Sequence, residues 1–433
     1  MKLTKSLKEK GERLLRKFPN AIEYLGKGEF SVASETGAGR YRVNDMIDRW
    51  TCECRFFREE EEICKHIAAV LVRQEHLIDE VQVAEDTIQS VSCTQDWETY
   101  DLAQKAELKL FDPLLRDLVA NIADPRQTRA TGRPRTEFST DLFCTIRKVA
   151  SMYSCRRSYG FLERATENEM INFVPNYSIS SRLLVRKDVT PILKDLVSFS
   201  SLPLAALEDR ATVAIDSSGF RTTAYGFYCQ EKHGPTRKNI WLKSSILVGC
   251  ETHGVFRASV TQNNIADVNL FPELLTDALH AGFDIGTAVA DKGYLSRLNF
   301  NVGSNLGVDV IIPFKSDSIP MAKGSPGWKK MYYLFTLNRD EFDRRYHVRS
   351  NVESVFAAIK TKFGETIKSK NPTAQVNEAY CKIIAYNISV VIHEIFKRGI
   401  SFPYPPDTDT VTSGAHSPYL VRCIGEDNSG SEL

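Results

Sequence analysis

The sequence predicts a mixed α/β protein, in which a mixed sheet flanked by helices follows a small cysteine- and histidine-rich module and a helical domain. Three observations support this prediction. Strand-like segments begin near residue 211 and then alternate with helical patterns. Apolar residues recur with helical periodicity over residues 110–200. Three of the ten cysteines fall between positions 52 and 64, which is the clustering expected of a metal site.

Length and composition set the broad class of the protein. A chain of 433 residues is long enough for two or three domains, and 42% apolar with 26% charged residues is typical of a globular protein rather than a disordered one. No run approaches the ~20 apolar residues of a membrane span. The basic N-terminus has no apolar core of the kind found in secretory signals. We therefore expect a cytoplasmic protein without membrane partners.

Charge is neutral overall but unevenly distributed. The net charge of +1 excludes a uniformly basic, histone-like binder. Residues 131–200 nevertheless contain 11 Lys and Arg against 7 Asp and Glu, and residues 315–370 contain 12 against 6. These two regions, at +4 and +6, indicate a localised phosphate-binding surface, although a solvated helix face would show the same excess.

The N-terminal module, residues 1–80, contains four potential soft metal ligands. Cys52 and Cys54 lie two apart on an extended segment, so we expect their side chains on one face of a strand. Cys64 and His66 follow and open an apolar helix. Three thiols and an imidazole in this order suit a closed tetrahedral Zn²⁺ site. The alternative is three buried thiols and a surface histidine.

This pattern resembles the SWIM zinc finger, which has a Cys-x-Cys pair followed by Cys-x-His. The resemblance covers about residues 25–75 and extends to Tyr41-Arg-Val43, Trp50 and the segment 64–70. It implies a structural zinc ion in a small module that binds DNA or protein.

Beyond the module, the acidic and polar residues 81–109 predict a linker, and residues 110–200 a helical domain. Residues 205–397 contain the strands and closing helices of the α/β domain. The Pro-, Ser- and Asp-rich residues 398–433 predict a flexible tail.

Two aspartates follow apolar strands of the α/β domain. Asp216 is expected to end a strand over residues 211–215, and Asp291 follows the run Gly286–Ala290. Carboxylates at the carboxyl ends of strands lie where α/β proteins form their sites. For either residue alone, a helix cap or turn is the competing interpretation. Asp267 is interpreted in that way, as the cap of the following helix.

A third acidic residue lies in the segment 345–360, which we expect to form one continuous helix. Tyr346, Arg349, Glu353 and Lys360 are separated by 3, 4 and 7 residues, so a helix places all four on one face. A solvated helix would carry Arg349 and Glu353 merely as a surface ion pair.

Together these residues resemble the DDE transposases of bacterial and archaeal insertion sequences. The third motif of that family is Tyr, two residues, Arg, three, Glu, six, Lys, and the four residues above match each spacing. Asp216 and Asp291 correspond to its first two carboxylates, Asp291-Lys-Gly-Tyr294 resembles its second motif, and the helix containing Asn387 resembles its closing helix. The resemblance covers about residues 205–395.

The resemblance implies an RNase H-like catalytic domain. Asp216, Asp291 and Glu353 would bind two Mg²⁺ ions, with Mn²⁺ as a substitute, for hydrolysis of phosphodiester bonds and transfer of strands. Arg349 and Lys360 would contact phosphates and Tyr346 a displaced nucleotide. The implied partner is double-stranded DNA, both the terminal repeats of the element and the target, bound by a homodimer.

In that case residues 131–185 would recognise the DNA ends. The candidate phosphate contacts are basic residues interleaved with aromatic ones, namely Arg133, Arg135, Arg147, Lys148, Arg156 and Arg157. A helix starting near Asn176–Ile179 would enter the DNA. Two rival functions remain open from the sequence: a DNA-binding regulator derived from a transposase, without catalysis, and a nuclease that only hydrolyses.

Overall fold

The computed structural model describes residues 3–18, 20–26, 28–36, 39–46, 49–73, 96–120, 122–126, 136–222, 241–262, 265–321 and 323–400. It divides the chain into two compact units. One unit combines Met1–Cys93 with Leu295–His347, and the other combines Thr94–Tyr294 with Val348–Leu433. The segment 295–347, which the sequence assigned to the α/β domain, therefore clusters with the N-terminal module.

The first unit begins with a helix and a four-stranded antiparallel sheet. Its elements are α1 (Lys5–Lys17), β1 (Ile22–Gly26), β2 (Glu29–Ala33), β3 (Arg40–Asp45), β4 (Trp50–Cys52), α2 (Arg55–Glu60) and α3 (residues 65–73). The strands pair in chain order, each with the next. Gly11 of α1 lies so close to α3 that a Cβ would stand 2.9 Å from the carbonyl carbon of Ala68. Only glycine permits that approach of the two helices.

The same unit contains four elements from the later segment. These are α10 (Arg297–Asn305), β9 (Asp309–Ile311), α11 (Pro326–Leu337) and α12 (Arg339–Tyr346). Ser325 caps α11 by accepting the N–H of Trp328, and a proline stands in its first turn. Phe300, Phe314 and Trp328 pack ring against ring at centroid distances of 4.8–5.6 Å. This aromatic cluster is the core of the segment.

The second unit contains four strands of a mixed sheet. They are β5 (Ala211–Arg221), β6 (Trp241–Gly249), β7 (Val255–Thr261) and β8 (Ile285–Ala290), in the order β7-β6-β5-β8. The pairs β5–β6 and β6–β7 are antiparallel, and β5–β8 is parallel. Because helices cover this sheet, β6 and β7 are buried along almost their whole length, including the polar residues Ser244, Ser245 and Arg257. The mixed α/β fold predicted from the sequence is confirmed.

Helices surround that sheet. They are α4 (Trp97–Ala120), α5 (Phe138–Ala150), α6 (Tyr159–Glu167), α7 (Ile179–Leu184), α8 (Val189–Ala205), α9 (Asp267–His280), α13 (Ser350–Phe363) and α14 (Pro372–Arg398). Helix α4 begins inside the predicted linker, since Asp96 caps it by accepting the N–H and hydroxyl of Thr99.

Helix α14 is the central helix of this unit and packs on α4, α5, α8 and β7. Asn371 caps its start, Pro372 occupies the first turn, and Gly399 ends it with a left-handed φ of 70°. Its Asn387 is fully buried. The amide of Asn387 accepts the N–H of Val255 at 2.9 Å and donates to the carbonyl oxygens of Val197 and Val255. By length and hydropathy α14 is the one described helix that could cross a membrane, but 72% of its most apolar window is buried within the protein.

Three local expectations were wrong. Strand β5 does not end at residue 215 but continues to Arg221, because β6 still pairs with it there. Asp267 does not cap α9; Ala266 holds the cap position, and Asp267 instead pairs with Lys243 at 2.6 Å. The stretch from Tyr346 is not one helix, since a 3₁₀ turn, His347–Arg349, separates α12 from α13. The sequence also predicts a strand over residues 222–228, and all of that segment beyond residue 222 lies outside the described residues, as does the predicted tail beyond residue 400.

Lys382 of α14 generates a prediction on pH. Its ammonium donates to the carbonyl oxygens of Gly364 at 2.7 Å and Thr366 at 3.0 Å, at the end of α13, and is 2% exposed. Burial lowers the pKa of Lys382 from 10.5 to about 8. Between those two pH values the unfolded chain binds the extra proton, so this group makes the protein more stable as pH rises.

We therefore expect the free energy of unfolding of the wild type, minus that of Lys382→Met, to increase between pH 8 and pH 10. Urea unfolding at both pH values measures it, and the subtraction removes the contribution of the tyrosines that titrate nearby. A difference that stays constant would show that the pKa of Lys382 is normal.

Candidate catalytic site and metal centre

The four ligands predicted for zinc come together in the first unit. Cys52 ends β4, Cys54 occupies the N-cap of α2, and Cys64 and His66 stand at the start of α3. All four are buried, and their ligand atoms lie within 4.8 Å of one another. Cys54 is not on the strand with Cys52, as the sequence suggested. Its Sγ instead accepts the N–H of Phe57.

The geometry of this cluster fits a tetrahedral zinc ion. The Nδ1 atom of His66 lies 3.8 Å from Sγ of Cys52 and 3.9 Å from Sγ of Cys64. Bond lengths of about 2.3 Å to sulfur and 2.0 Å to nitrogen give a tetrahedral edge of roughly 3.6 Å. The Nε2 atom has no hydrogen-bond partner among the described residues, so packing on Tyr41, 4.7 Å away between ring centroids, holds the imidazole.

The thiols cannot all ionise without a cation. The hydrogen bond with Cys52 lowers the pKa of Cys64 to about 4, and the same bond raises the pKa of Cys52. Burial raises the pKa of Cys54. These interactions oppose the ionisation of all three thiols together. A bound Zn²⁺ would compensate the charge of all three, so these residues suit a structural Zn²⁺.

A second group of candidate residues is positioned by strand pairing in the other unit. Strands β5 and β8 run parallel, with Ile215 opposite Ala290. Asp216 and Asp291 are the residues that follow this last pair of the two strands, so the two aspartates lie next to each other. Two carboxylates are thus placed side by side at the carboxyl end of β8, beside the middle of β5, and α/β sheets place their sites at such strand ends.

Backbone amides orient both carboxylates. Oδ1 of Asp216 accepts the N–H of Ser217 at 2.7 Å, and Oδ1 of Asp291 accepts the N–H of Gly293 at 2.8 Å. A Cβ on Gly293 would stand 2.9 Å from Oδ1 of Asp291. The glycine after Asp291 therefore allows the loop to fold over its carboxylate.

The third carboxylate is on α13 and belongs to the same electrostatic environment. Burial raises the pKa of Asp216. The negative charges of Asp291 and Glu353 raise the pKa of Asp216 further, whereas the positive charge of Arg349 lowers it. The mutual repulsion of these carboxylates favours the binding of a cation between them. The chemistry of the set, three hard oxygen ligands beside open solvent, fits a divalent cation such as Mg²⁺.

Arg349 forms a two-nitrogen contact with Glu353. Its Nη1 and Nη2 donate to Oε1 at 2.5 and 2.7 Å, and the side chain of Glu353 is 59% exposed. The i, i+4 spacing predicted this pairing. Within the described part of the chain the three carboxylates do not form a compact ligand group as the cysteines do. Binding of a metal ion through all three thus requires the Glu353 side chain to exchange Arg349 for the ion.

The other two residues of the predicted helical face, Tyr346 and Lys360, belong to two different helices, α12 and α13. Lys360 of α13 donates to Oγ of Ser218 at 2.7 Å, two residues beyond Asp216. Tyr346 belongs to the first unit, where its ring stacks on Phe342 at 5.8 Å. The 3₁₀ turn between them breaks the helical phase on which the single face depended.

One set of residues near the carboxylates was missed by sequence reasoning. The hydroxyl of Tyr294 is 2.9 Å from Oγ of Ser217, which is 2.6 Å from Oγ of Ser245. The tyrosine follows Asp291 by three residues and the serine follows Asp216 directly, so this hydroxyl chain joins strand β5, which carries Asp216, to the segment after β8, which carries Asp291. The only signal in the sequence was the tyrosine of Asp291-Lys-Gly-Tyr294, because the pairing of distant serines is not a local pattern.

The candidate phosphate contacts divide into exposed and buried residues. Arg156 and Arg157 are exposed and lie over the rings of Tyr177 and Tyr153, at 5.4 and 4.3 Å. Such arginines, with an aromatic side chain beside each, suit a nucleic-acid surface.

Arg147 and Lys148 were wrongly included in that surface. Arg147 is paired with Asp112 at 2.6 Å and lies over the ring of Phe161, and Lys148 is buried. Both side chains are part of the helical core. Arg133 and Arg135 lie outside the described residues. The proposed recognition helix is the short α7, in which Ser180 and the two leucines are buried.

Comparison with protein families agrees with both sites. Residues 208–388 match the family model described as the transposase DDE domain, and residues 41–74 match that of the SWIM zinc finger. The first match spans β5 to α14 and includes Asp216, Asp291 and Glu353, and the second includes the four zinc ligands. The resemblance inferred from the sequence is thereby confirmed: the chain contains the catalytic DDE domain of the transposases, preceded by a SWIM zinc finger.

Proposed function

We propose that this chain is the transposase of an insertion sequence, which binds the ends of its own element, cleaves the DNA there and joins the freed 3′ ends to target DNA. The observation that supports it best is the in-register pairing of β5 with β8, which brings Asp216 and Asp291 to one edge within the electrostatic reach of Glu353. A protein that only binds DNA gains nothing from three carboxylates facing a polyanion.

Asp216, Asp291 and Glu353 would hold two divalent ions, Mg²⁺ or Mn²⁺, which when bound activate the attacking oxygen and stabilise the leaving oxygen of the phosphodiester. The chain itself orients these groups. The N–H groups of Ser217 and Gly293 fix the two aspartates. Arg349 is close enough to the carboxylates to bind the phosphate under attack once Glu353 releases it.

Further DNA contacts complete the proposal. Lys360, held by Ser218 beside Asp216, would neutralise a phosphate of the bound strand. Tyr346 would contact a displaced nucleotide. Arg156 and Arg157, with Arg133 and Arg135 earlier in the chain, would bind the terminal repeat. We further propose that the active form is a homodimer on DNA in the cytoplasm of a prokaryotic cell.

The first test is Glu353→Gln, which preserves side-chain length and helix propensity but removes a carboxylate. We expect cleavage with Mg²⁺ to fall by about three orders of magnitude or more, since each tenfold corresponds to ~1.4 kcal/mol of lost transition-state stabilisation. DNA binding should persist. Cleavage and strand transfer are measured on DNA that carries the ends of the element, beside a binding assay.

Glu365→Gln is the matched control, because Glu365 is also an exposed acid that pairs with an arginine, Arg221, beyond the end of α13. It should cleave normally. Cleavage near the wild-type rate by Glu353→Gln would remove Glu353 from the metal site. A wild type that binds the ends but never cleaves would indicate a regulator, and cleavage without strand transfer a nuclease.

The second test measures the phosphate contacts. Each Lys or Arg on a phosphate contributes roughly −0.9 to the slope of log K against log salt concentration. Replacing both Arg156 and Arg157 with alanine should flatten that slope by about 2 for end-bearing DNA. Arg116→Ala, which removes an exposed arginine of α4 paired with Asp117, serves as the control and should leave the slope unchanged. An unchanged slope in the double variant would make Arg156 and Arg157 ordinary solvated residues.

The third test concerns zinc. Structural zinc contributes on the order of 10 kcal/mol of apparent folding free energy near neutral pH, so Cys64→Ser should lose the ion and unfold the N-terminal module. Metal analysis and circular dichroism measure the two effects. Cys155→Ser changes a partly exposed thiol in the other unit and should keep one zinc per chain. Wild-type protein free of zinc, with Cys52 open to alkylation, would contradict the assignment.

A further inference from the structure

The zinc module buries an aromatic face against a later part of the chain. Phe30 of β2 is fully buried, and its ring meets the ring of Tyr333 of α11 edge-on at 5.3 Å. Tyr24 of β1 lies 5.9 Å from the same Tyr333, and Trp50 of β4 lies 5.9 Å from Phe30. Three strands of the module thus contribute to one core with α11. This face of the module is occupied within the chain.

An ion pair reinforces the same interface. The ammonium of Lys329 lies 2.9 Å from Oδ1 of Asp45 and also donates to the carbonyl oxygens of Asp45 and Met46, at 2.6 and 3.2 Å. The two side chains are only 14% and 8% exposed. Removing one partner from such a pair leaves a buried charge without compensation, which is strongly destabilising. The pair therefore sets the position of α11 on the module.

The zinc ligands support the surface that carries this contact. Asp45 stands opposite Trp50, and Val43 opposite Cys52, in the pairing of β3 with β4. Cys52 is both the last residue of β4 and a zinc ligand. Without the ion, the β3–β4 pair, which places Asp45 against Lys329 and Trp50 against Phe30, loses the anchor at its end.

We propose that the zinc module is an internal docking platform for the segment 295–347, and that zinc is required for that segment to fold. In this role the module is not an independent DNA-binding finger. The segment joins the second candidate carboxylate to the third, since Asp291 precedes it by four residues and Glu353 follows it by six. The proposal does not depend on the transposase function, because it concerns packing within one unit.

Hydrogen–deuterium exchange on the full chain tests the proposal peptide by peptide. In Lys329→Met we expect amides of α11 and α12 to exchange about tenfold faster or more, because local opening becomes easier when the buried pair is broken. Zinc content should remain one per chain. Lys330→Met is the matched control: this neighbouring lysine is 64% exposed and pairs with Asp309, so exchange in α11 and α12 should stay as in the wild type.

Removal of zinc is the second perturbation to be measured by hydrogen–deuterium exchange. Chelation with a strong zinc ligand, or Cys64→Ser, should accelerate exchange in residues 326–346 as well as in the module. Protection of 326–346 that survives complete loss of zinc would overturn the proposal. Loss of DNA affinity on chelation, with exchange in 326–346 unchanged, would instead identify an independent DNA-binding finger.

A double-mutant cycle separates the specific contact from general damage. Asp45→Asn is a mild change that keeps shape and hydrogen-bonding capacity. If the two residues stabilise α11 through their mutual contact, the fold-increase in the exchange rate of α11 in the double variant should be clearly smaller than the product of the fold-increases in Asp45→Asn and Lys329→Met. Effects that multiply would show that the pair does not hold the segment.

Discussion

The parallel pairing of β5 with β8 is the constraint on which the candidate active site depends. It places two aspartates next to each other only because Ile215 and Ala290 are in register. A slip of one residue would turn one carboxylate to the opposite face of the sheet. The surrounding contacts compensate for this crowding of like charges. Backbone N–H groups bind one oxygen of each carboxylate, and the hydroxyl chain from Tyr294 to Ser245 joins the segment after β8 to β5 and β6.

The helices stabilise this register from a distance. Asn387 of α14 satisfies both backbone groups of Val255, and it also bonds to α8, so one buried amide joins two helices to the edge strand β7. Buried polar groups that are fully paired add specificity because an alternative packing would leave them unpaired. Lys382 connects the same helix to the end of α13, which carries Glu353. The position of the third carboxylate is thus coupled to the core.

Local patterns in the sequence predicted the features that local physics controls. Four soft ligands within fifteen residues indicated the zinc centre, and the i, i+4 spacing predicted the contact of Arg349 with Glu353. Long-range packing decided what was missed. Nothing near Arg147 in the sequence shows that Asp112 will pair with it, and nothing near residue 329 shows that its partner is Asp45. The break at residues 347–349 coincides with the boundary between the two units, which only the tertiary contacts reveal.

The separation of Asp45 from Lys329 along the chain has a consequence for biosynthesis. The two residues are 284 positions apart, so the partner of the zinc module is made long after the module itself. At ~5–20 residues per second the ribosome needs roughly 15 to 60 s to reach α11. During that interval Tyr24 and Phe30 are not covered by Tyr333, and other nascent chains on the same messenger expose the same face. If zinc supports the module as proposed, early loading of zinc would keep this face folded until α11 is synthesised, and chains short of zinc during translation would aggregate or be degraded before the catalytic domain is complete.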